Sequence, residues 1–312
     1  MGSYHSVDTE SADMVLPIYE LAAIGSAICW AVTGLMAMPA VSHLGAYRFN
    51  MYRQGFVTLV LALIVGLGGL WHGTTPAQVA QLFASGLVGI FLGDTLLFAA
   101  LDRMGPRRTG AVFALNAPMA AVLGQVFLGE TLLPLGWAGV GLCSLGVGVA
   151  VMGRPGRSGT HAFERVQGAL WIAVGAGLLA ALGQAVGSLI ARPVMEGGMD
   201  PFTGSLIRVA TAFACLAALM ALPLDQVRKK NPMTWPVFLL LATSGIVAMV
   251  VGMSLMLFAL QGGKVGIVST LSALSPVFIL PGLWVVTRAR PSLTSWLGAL
   301  IAVVGMALIF LR

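Results

Sequence analysis

Long apolar runs separated by short polar breaks dominate this chain. A helix that crosses a bilayer needs about 20 mostly apolar residues. Ten runs approach or exceed that length, at roughly 17–40, 46–70, 77–101, 106–129, 133–153, 167–192, 201–223, 235–260, 264–287 and 292–311. The connections carry turn formers: His72-Gly73-Thr74-Thr75-Pro76, Met104-Gly105-Pro106, Lys230-Asn231-Pro232 and Arg290-Pro291. Lipid offers backbone groups no partners, so only helices and closed barrels span it. Barrel strands would alternate over about 10 residues, and these runs do not. The pattern predicts an all-α membrane protein of ten transmembrane helices. Residues 1–16 are polar and acidic, with Asp8, Glu10 and Asp13. They read as an N-terminal tail, without the basic start of a secretory signal.

The second half repeats the first. Gly93-Asp94-Thr95-Leu96 through Leu101 matches Gly252-Met253-Ser254-Leu255 through Leu260 at an offset of 159 residues. Asn116-Ala117-Pro118 lies against Leu274-Ser275-Pro276 at 158, and Trp137, Gly139 and Gly146 lie against Trp296, Gly298 and Gly305 at 159. The repeats are 17–153 and 167–312. Between them, 154–166 holds Pro155, Gly156, Ser158 and Gly159 and reads as a linker. A period of this size in apolar sequence points to a transporter built from two halves.

Five helices is an odd number, so two repeats of one topology must enter the membrane from opposite sides. The expectation is two inverted five-helix repeats. Loop charges agree. Arg103, Arg107 and Arg108 follow the third span, while only Lys264 stands at the equivalent connection. The loop around His72 has no Lys or Arg, while its counterpart has Arg228, Lys229 and Lys230. On one side of the membrane lie Arg48, Arg53, Arg103, Arg107, Arg108, Arg154, Arg157, Arg165, Arg228, Lys229, Lys230, Arg288 and Arg290; on the other lie Arg192, Lys264 and Arg312. The positive-inside rule places the richer side in the cytoplasm. Both termini are then extracytoplasmic, in a multi-pass protein of the cell inner membrane.

Composition narrows the class. Hydrophobic residues make up 58% and charged residues 9%, against about 25% charged in soluble domains. The formal charge of +6 sits in short loops between spans, so nucleic acid is not the implied partner. The lipid bilayer is. Cys29, Cys143 and Cys215 lie in apolar runs without metal-ligand spacing, and His5, His43, His72 and His161 fall in the tail or loops. No cofactor is implied.

The segments Gly93-Asp94-Thr95-Leu96-Leu97-Phe98 with Leu101, Leu115-Asn116-Ala117-Pro118 followed by Leu128-Gly129-Glu130, and Trp137-x-Gly139…Gly146 with its second copy resemble the ten-helix, EamA-type branch of the drug/metabolite transporter superfamily. The resemblance runs from about residue 17 to 311. Arg53 and Arg208 resemble the family's Arg in the second helix of each repeat. One departure is plain: the acidic residue near the end of the fourth helix is Glu130, but Arg288 holds its place in repeat two. The resemblance implies a central cavity that moves small organic molecules, a class that covers amino acids, nucleosides, amines and other metabolites.

Asp94 is the acidic residue deep in an apolar run, seven residues before Leu101, or roughly 10 Å inside the helix end. A charge at depth costs about 2.5–3.5 kcal/mol on insertion scales. Its counterpart is Met253, so the repeat does not demand a carboxylate. Two roles fit: a group in the pathway that couples transport to protons or cations, or a structural Asp bonded to a neighbouring helix. Depth and solitude favour the first. Asn116, Gln125 and Gln184 are amides in apolar spans; Asn116 precedes Pro118, which interrupts the helical ladder and frees carbonyls upstream. Pro118 and Pro276 read as structural, as do Arg53 and Arg208 at matched places. Substrate-site candidates are Asp94, Asn116, Gln184, Trp30, Phe98 and Phe258, with Phe113, Trp171 and Trp284 as further aromatics.

The expected function is secondary transport of a small organic metabolite by alternating access, as an exporter driven by a proton or ion gradient, in a monomer or homodimer. No ATP-binding motif is present. An intramembrane enzyme would need a second catalytic group beside Asp94. A non-transporting scaffold would call for a sizeable soluble domain, and the chain shows none.

Overall fold

The computed structural model describes residues 17–152, 169–221, 231–287 and 292–311. The expected tail, the linker, Arg228 to Lys230 and Arg288 lie outside them. The described residues form thirteen α-helices and two π-helical segments, with no strand. They are α1 Ile18–Leu44, α2 Ala46–Gly68, α3 Pro76–Ser85, α4 Gly93–Phe113, α5 Asn116–Leu128, α6 Pro134–Met152, α7 Leu170–Glu196, α8 Pro201–Ala221, α9 Trp235–Gly245, α10 Met253–Gly262, α11 Val265–Ser272, α12 Ser275–Thr287 and α13 Leu293–Phe310.

Among the described residues, eight stretches are long and apolar enough to cross a membrane: Tyr47–Gly68, Pro76–Leu101, Arg108–Leu128, Pro134–Met152, Leu170–Glu196, Pro201–Ala221, Trp235–Gly262 and Leu293–Phe310. Where the first and ninth spans are expected, the structure has shorter apolar helices, Ile18–Thr33 and Val265–Pro281. The ninth is interrupted at Ala273 and Leu274, just ahead of Pro276. Repeat one has the same break at Ala114 and Leu115, ahead of Pro118. Proline near a helix start is well placed, because its missing N–H is one the first turn leaves unbonded anyway.

The expected loop at Met104-Gly105-Pro106 is instead helical, since α4 runs unbroken from Gly93 to Phe113. The expected end of the sixth span at residue 192 also moves. Helix α7 continues to Glu196, so Arg192 lies within it.

Each repeat carries a π-helical segment, Gly86–Leu92 and Ile246–Gly252, at nearly equivalent places, the first ending just before Gly93 and the second on its counterpart Gly252. Such segments widen the helix and loosen its hydrogen-bond ladder.

Contacts between the repeats are exchanged in matched pairs. Gly139 of α6 meets Gly305 and Ile309 of α13, Gly146 meets Gly298 and Ala302, and Gly298 meets Ala150. The contacts climb one helix as they descend the other, so α6 and α13 are antiparallel. Gly139 and Gly298 are repeat equivalents, as are Gly146 and Gly305, so the first contact is the image of the second. A Cβ on Gly146 would lie 2.7 Å from the Gly298 carbonyl oxygen and closer still to the Ala302 nitrogen. Glycine is required there by the closeness of the two backbones.

The arginines follow the same exchange. The stem of Arg53 (α2) lies against Gly245 at the end of α9, and the backbone of Arg208 (α8) lies against Gly86.

Candidate functional site

Where the two broken spans approach, the structure leaves a partly open cavity of about 100 Å³. Gly110, Phe113, Ala114 and Asn116 line it from the break between α4 and α5. Ser269, Ser272, Ala273, Ser275 and Pro276 line it from the break between α11 and α12. Trp30 of α1, Val147 of α6, Gln184 of α7 and Met256 of α10 complete the wall. Among the described residues, the lining has no charged side chain.

Local structure fixes several of these groups. The indole N–H of Trp30 donates to the carbonyl of Ala248 at 3.0 Å. Ala248 lies in a π-helical segment, so the irregular segment supplies the acceptor that orients a cavity aromatic. Asn116 Nδ2 donates to the carbonyl of Phe113 at 2.9 Å, bridging the break just above Pro118. The Ser26 hydroxyl donates to that of Ser272 at 3.1 Å, tying α1 to α11. Ser269 is 5% exposed, and its hydroxyl has no partner among the described residues.

The structure therefore brings Trp30, Asn116, Gln184, Phe113 and Pro276 to one cavity. Asp94, Phe98 and Phe258 are not on its wall. Asp94 faces α2, where Asn50 Nδ2 donates to Asp94 Oδ2 at 3.3 Å and Arg53 Nη2 donates to Asn50 Oδ1 at 2.9 Å. Arg53 also lies over the Phe49 ring, 5.3 Å from its centre. Phe98 meets the Tyr47 ring edge-on at 5.9 Å, one turn along the same α2–α4 seam. Phe258 packs on Tyr19 at 5.4 Å. Arg208 is fully buried; its Nη1 reaches the Met253 sulfur at 3.5 Å, and Nε and Nη2 have no partner among the described residues. Gln125 is exposed on the outer face of α5, and Trp171 is 77% exposed. The Trp284 side chain lies outside the described residues. Among those residues, no group of three His, Cys, Asp or Glu could hold a metal ion.

A polar lock joins α5, α7 and α11 through Glu130 and Arg192, and the sequence does not announce it. Gly129 takes a left-handed conformation at φ 67° and turns the chain back at the end of α5. Glu130 N–H then donates to Gly124 O at 3.1 Å, folding the Glu130 carboxylate over α5. Its Oε2 accepts the Val265 N–H at 2.7 Å and so caps α11. Its Oε1 accepts from Arg192 Nε at 3.2 Å. Arg192 Nη1 donates to Leu260 O at 2.9 Å and also lies 3.2 Å from Glu196 Oε2. Lys264 Nζ donates to the carbonyl of Thr131. A Cβ on Gly124 would stand 2.8 Å from Glu130 Oε2, so glycine leaves room for the carboxylate. One signal was available: Leu128-Gly129-Glu130 has the helix-ending glycine and the acid, but not the partner 62 residues away.

These features fit a membrane transporter, and comparison with known proteins agrees. The profile of the EamA-like transporter family matches residues 17–152 and again 171–311. The chain belongs to the EamA-like transporter family. It is 28% identical over 126 residues to an uncharacterized transporter in the cobO 3′ region of Sinorhizobium sp., a match covering 40% of this chain and 89% of that protein. A protein of known crystal structure superposes with a TM-score of 0.72 at 22% identity, over 94% of this chain and 96% of its own. That similarity shows the fold.

Proposed function

We propose that this chain is a secondary transporter that exports a small organic metabolite across the inner membrane by alternating access. The observation that carries the reading is the cavity at the two matched helix breaks. It lies between the repeats, and the Glu130–Arg192 lock joins α5, α7 and α11. In this reading the chain crosses the membrane ten times as two inverted five-helix repeats, with α11 and α12 forming the ninth span. The antiparallel, repeat-exchanged contacts of α6 and α13 support a two-fold axis perpendicular to the helices. Such an axis lies in the membrane plane. Both termini, and the lock, are then extracytoplasmic. Trp30, Asn116 and Gln184 contact the substrate. Asp94 couples transport to a proton or cation gradient through its link to Asn50 and Arg53, beside the cavity rather than on its wall. An intramembrane enzyme is disfavoured, because the described neighbours of Asp94 are an amide and a guanidinium.

Counterflow into proteoliposomes with a pooled metabolite library tests this. At least one compound is expected to exchange, with Asn116→Ala and Gln184→Ala each slowing exchange tenfold or more. Failure of the whole pool to exchange, with the protein folded, refutes transport. Asp94→Asn is expected to abolish gradient-driven accumulation while exchange persists. Full pH-driven accumulation by that variant would remove Asp94 from coupling.

A further inference from the structure

We propose that the cavity takes a small uncharged amide, a primary carboxamide or a lactam, whose N–H and C=O edge pairs with the side-chain amide of Gln184. This inference rests on the transport reading above and names the substrate class of the same site.

Charge discriminates first. Among the described residues, the wall carries no Asp, Glu, Lys, Arg or His. Asp94 is turned to α2 and accepts from Asn50 at 3.3 Å. A charged ligand seated against this wall would lose water and gain no counter-charge, a penalty far larger than that of an uncharged polar group. An uncharged group can be compensated bond for bond where the wall has free hydrogen-bonding atoms.

The wall has such atoms at Gln184. Its side-chain amide has no hydrogen-bond partner among the described residues, and the residue is half-buried, with neither amide atom sealed off. Water or a ligand must therefore satisfy it. The helix that carries it is firmly placed. A Cβ on Gly183 would stand 3.0 Å from the Val88 carbonyl oxygen, and one on Gly187 would stand 2.6 Å from the Gly89 Cα, so α7 lies backbone to backbone against the first π-helical segment. Two further groups are free beside it. Asn116 spends its Nδ2 on the Phe113 carbonyl at 2.9 Å and keeps Oδ1 as an acceptor. The Ser275 hydroxyl, half-buried on the same wall, has no partner among the described residues. The Trp30 N–H and the Ser272 hydroxyl are already committed, to the Ala248 carbonyl and to Ser26.

A carboxamide presents N–H and C=O side by side in one plane. A second carboxamide, or a lactam, presents the matching edge, and two parallel bonds form. The same two-point grip lets Gln or Asn hold the edge of adenine. A secondary amide in its ordinary trans form has N–H and C=O on opposite sides and can make only one of the two bonds. A carboxylate has no donor and an ammonium no acceptor. A ligand that fails to reproduce the bonds of the water it displaces loses affinity. The rest of the wall, with Trp30, Phe113, Val147 and Met256, suits a compact apolar body. A cavity of about 150 Å³ holds a benzene ring; the roughly 100 Å³ here suits a ligand of about the size of a small lactam.

The experiment uses the full-length protein, with small lactams and primary amides of three to five carbons as probes. Each is paired with its N-methyl derivative, and each primary amide also with the carboxylate and the amine of the same carbon chain. Binding is read by titration calorimetry on the purified protein, and transport by counterflow. At least one amide or lactam is expected to bind about tenfold tighter than its N-methyl derivative, the change expected for one lost hydrogen bond, with the carboxylate and amine weaker still. Gln184→Leu keeps the bulk and removes the amide. It is expected to bring that tenfold preference close to one without lowering the melting temperature. The wild-type comparison decides by itself should the variant not fold. Amides and lactams that fail to bind, or bind no better than their N-methyl or charged counterparts, overturn the proposal, as does a Gln184→Leu variant that keeps the full preference. If an amide binds with that preference and nothing in any pool is transported, the transport reading falls and this one stands. If a charged compound is transported while no amide binds, this one falls and transport stands.

Discussion

Glu130 shows how one side chain can join parts of the chain far apart in sequence. Its two oxygens hold Arg192 and the start of α11, and its side chain is only 12% exposed against 9% for Arg192. Removing one partner of a buried pair strands the other charge, at a cost of about 3–5 kcal/mol. Other acceptors around Arg192 soften this, so Glu130→Ala is expected to cost about 3 kcal/mol, near the lower end of that range. Glu196 also pairs with Arg192, but its side chain is 64% exposed. Water already solvates it, and Glu196→Ala is expected to cost less than about 1 kcal/mol. Thermal unfolding in detergent compares the two. Equal losses would show that the lock is not organised around Glu130.

At the scale of elements, α6 and α13 form the closest backbone contact between the repeats. A Cβ on Gly146 would stand 2.7 Å from the Gly298 carbonyl oxygen, and one on Gly298 would stand 2.7 Å from that of Gly146. Backbone cannot yield as a side chain can, so Gly146→Ala must push the helices apart. Overpacking costs typically about 1–3 kcal/mol, and the upper end is expected here. On the same helix, a Cβ added to Gly141 or Gly148 would meet nothing within 4 Å. There the intrinsic preference of a helix for Ala decides, and Gly141→Ala is expected to be neutral or stabilising by up to about 1 kcal/mol. A melting temperature that falls equally for both variants would contradict the close approach. These elements also mark how far the sequence can be read. The helices and repeats were legible because run length and matched glycines are local signals. Pro118 announced the interruption in its span, while Pro276 lies in a run that reads as one continuous span, 264–287; Asn116, Gln184 and Trp30 gather at one cavity. The π-helical segments carry no residue signature that separates them from ordinary helix. Ser269 and Ser272 are small residues of an apolar span with no local pattern that marks them as cavity-lining. The partners of Asp94 were hidden because Asn50 is 44 residues away, and depth alone does not tell which face of a helix a carboxyl takes.

For the whole molecule, the proposed alternating access requires that the helices joined by Glu130 also separate. Helices α5 and α11 touch beside Glu130, where Gly266 lies against Ala121 and a Cβ on Gly124 would stand 3.6 Å from the Val265 Cβ. That spacing falls within the range of about 3.5–4.5 Å that a disulfide spans. Gly124→Cys with Val265→Cys, in a chain with Cys29, Cys143 and Cys215 replaced, should therefore cross-link on mild oxidation once the Glu130 carboxylate, which a Cβ at Gly124 would meet at 2.8 Å, has swung aside, so that the disulfide stands in for the lock. The bond would hold α5 and α11 together and, in the proposed mechanism, prevent release at that side. Counterflow of the transported compound is expected to fall to background when the pair is oxidised and to recover on reduction. Each single cysteine variant should be indifferent to oxidant. The side itself can be read in the same protein, because an impermeant thiol reagent added to intact cells should reach the reduced pair only when the lock opens outward. If the oxidised pair transports at the full rate, the two spans need not separate there, and the lock is a fixed brace rather than a gate.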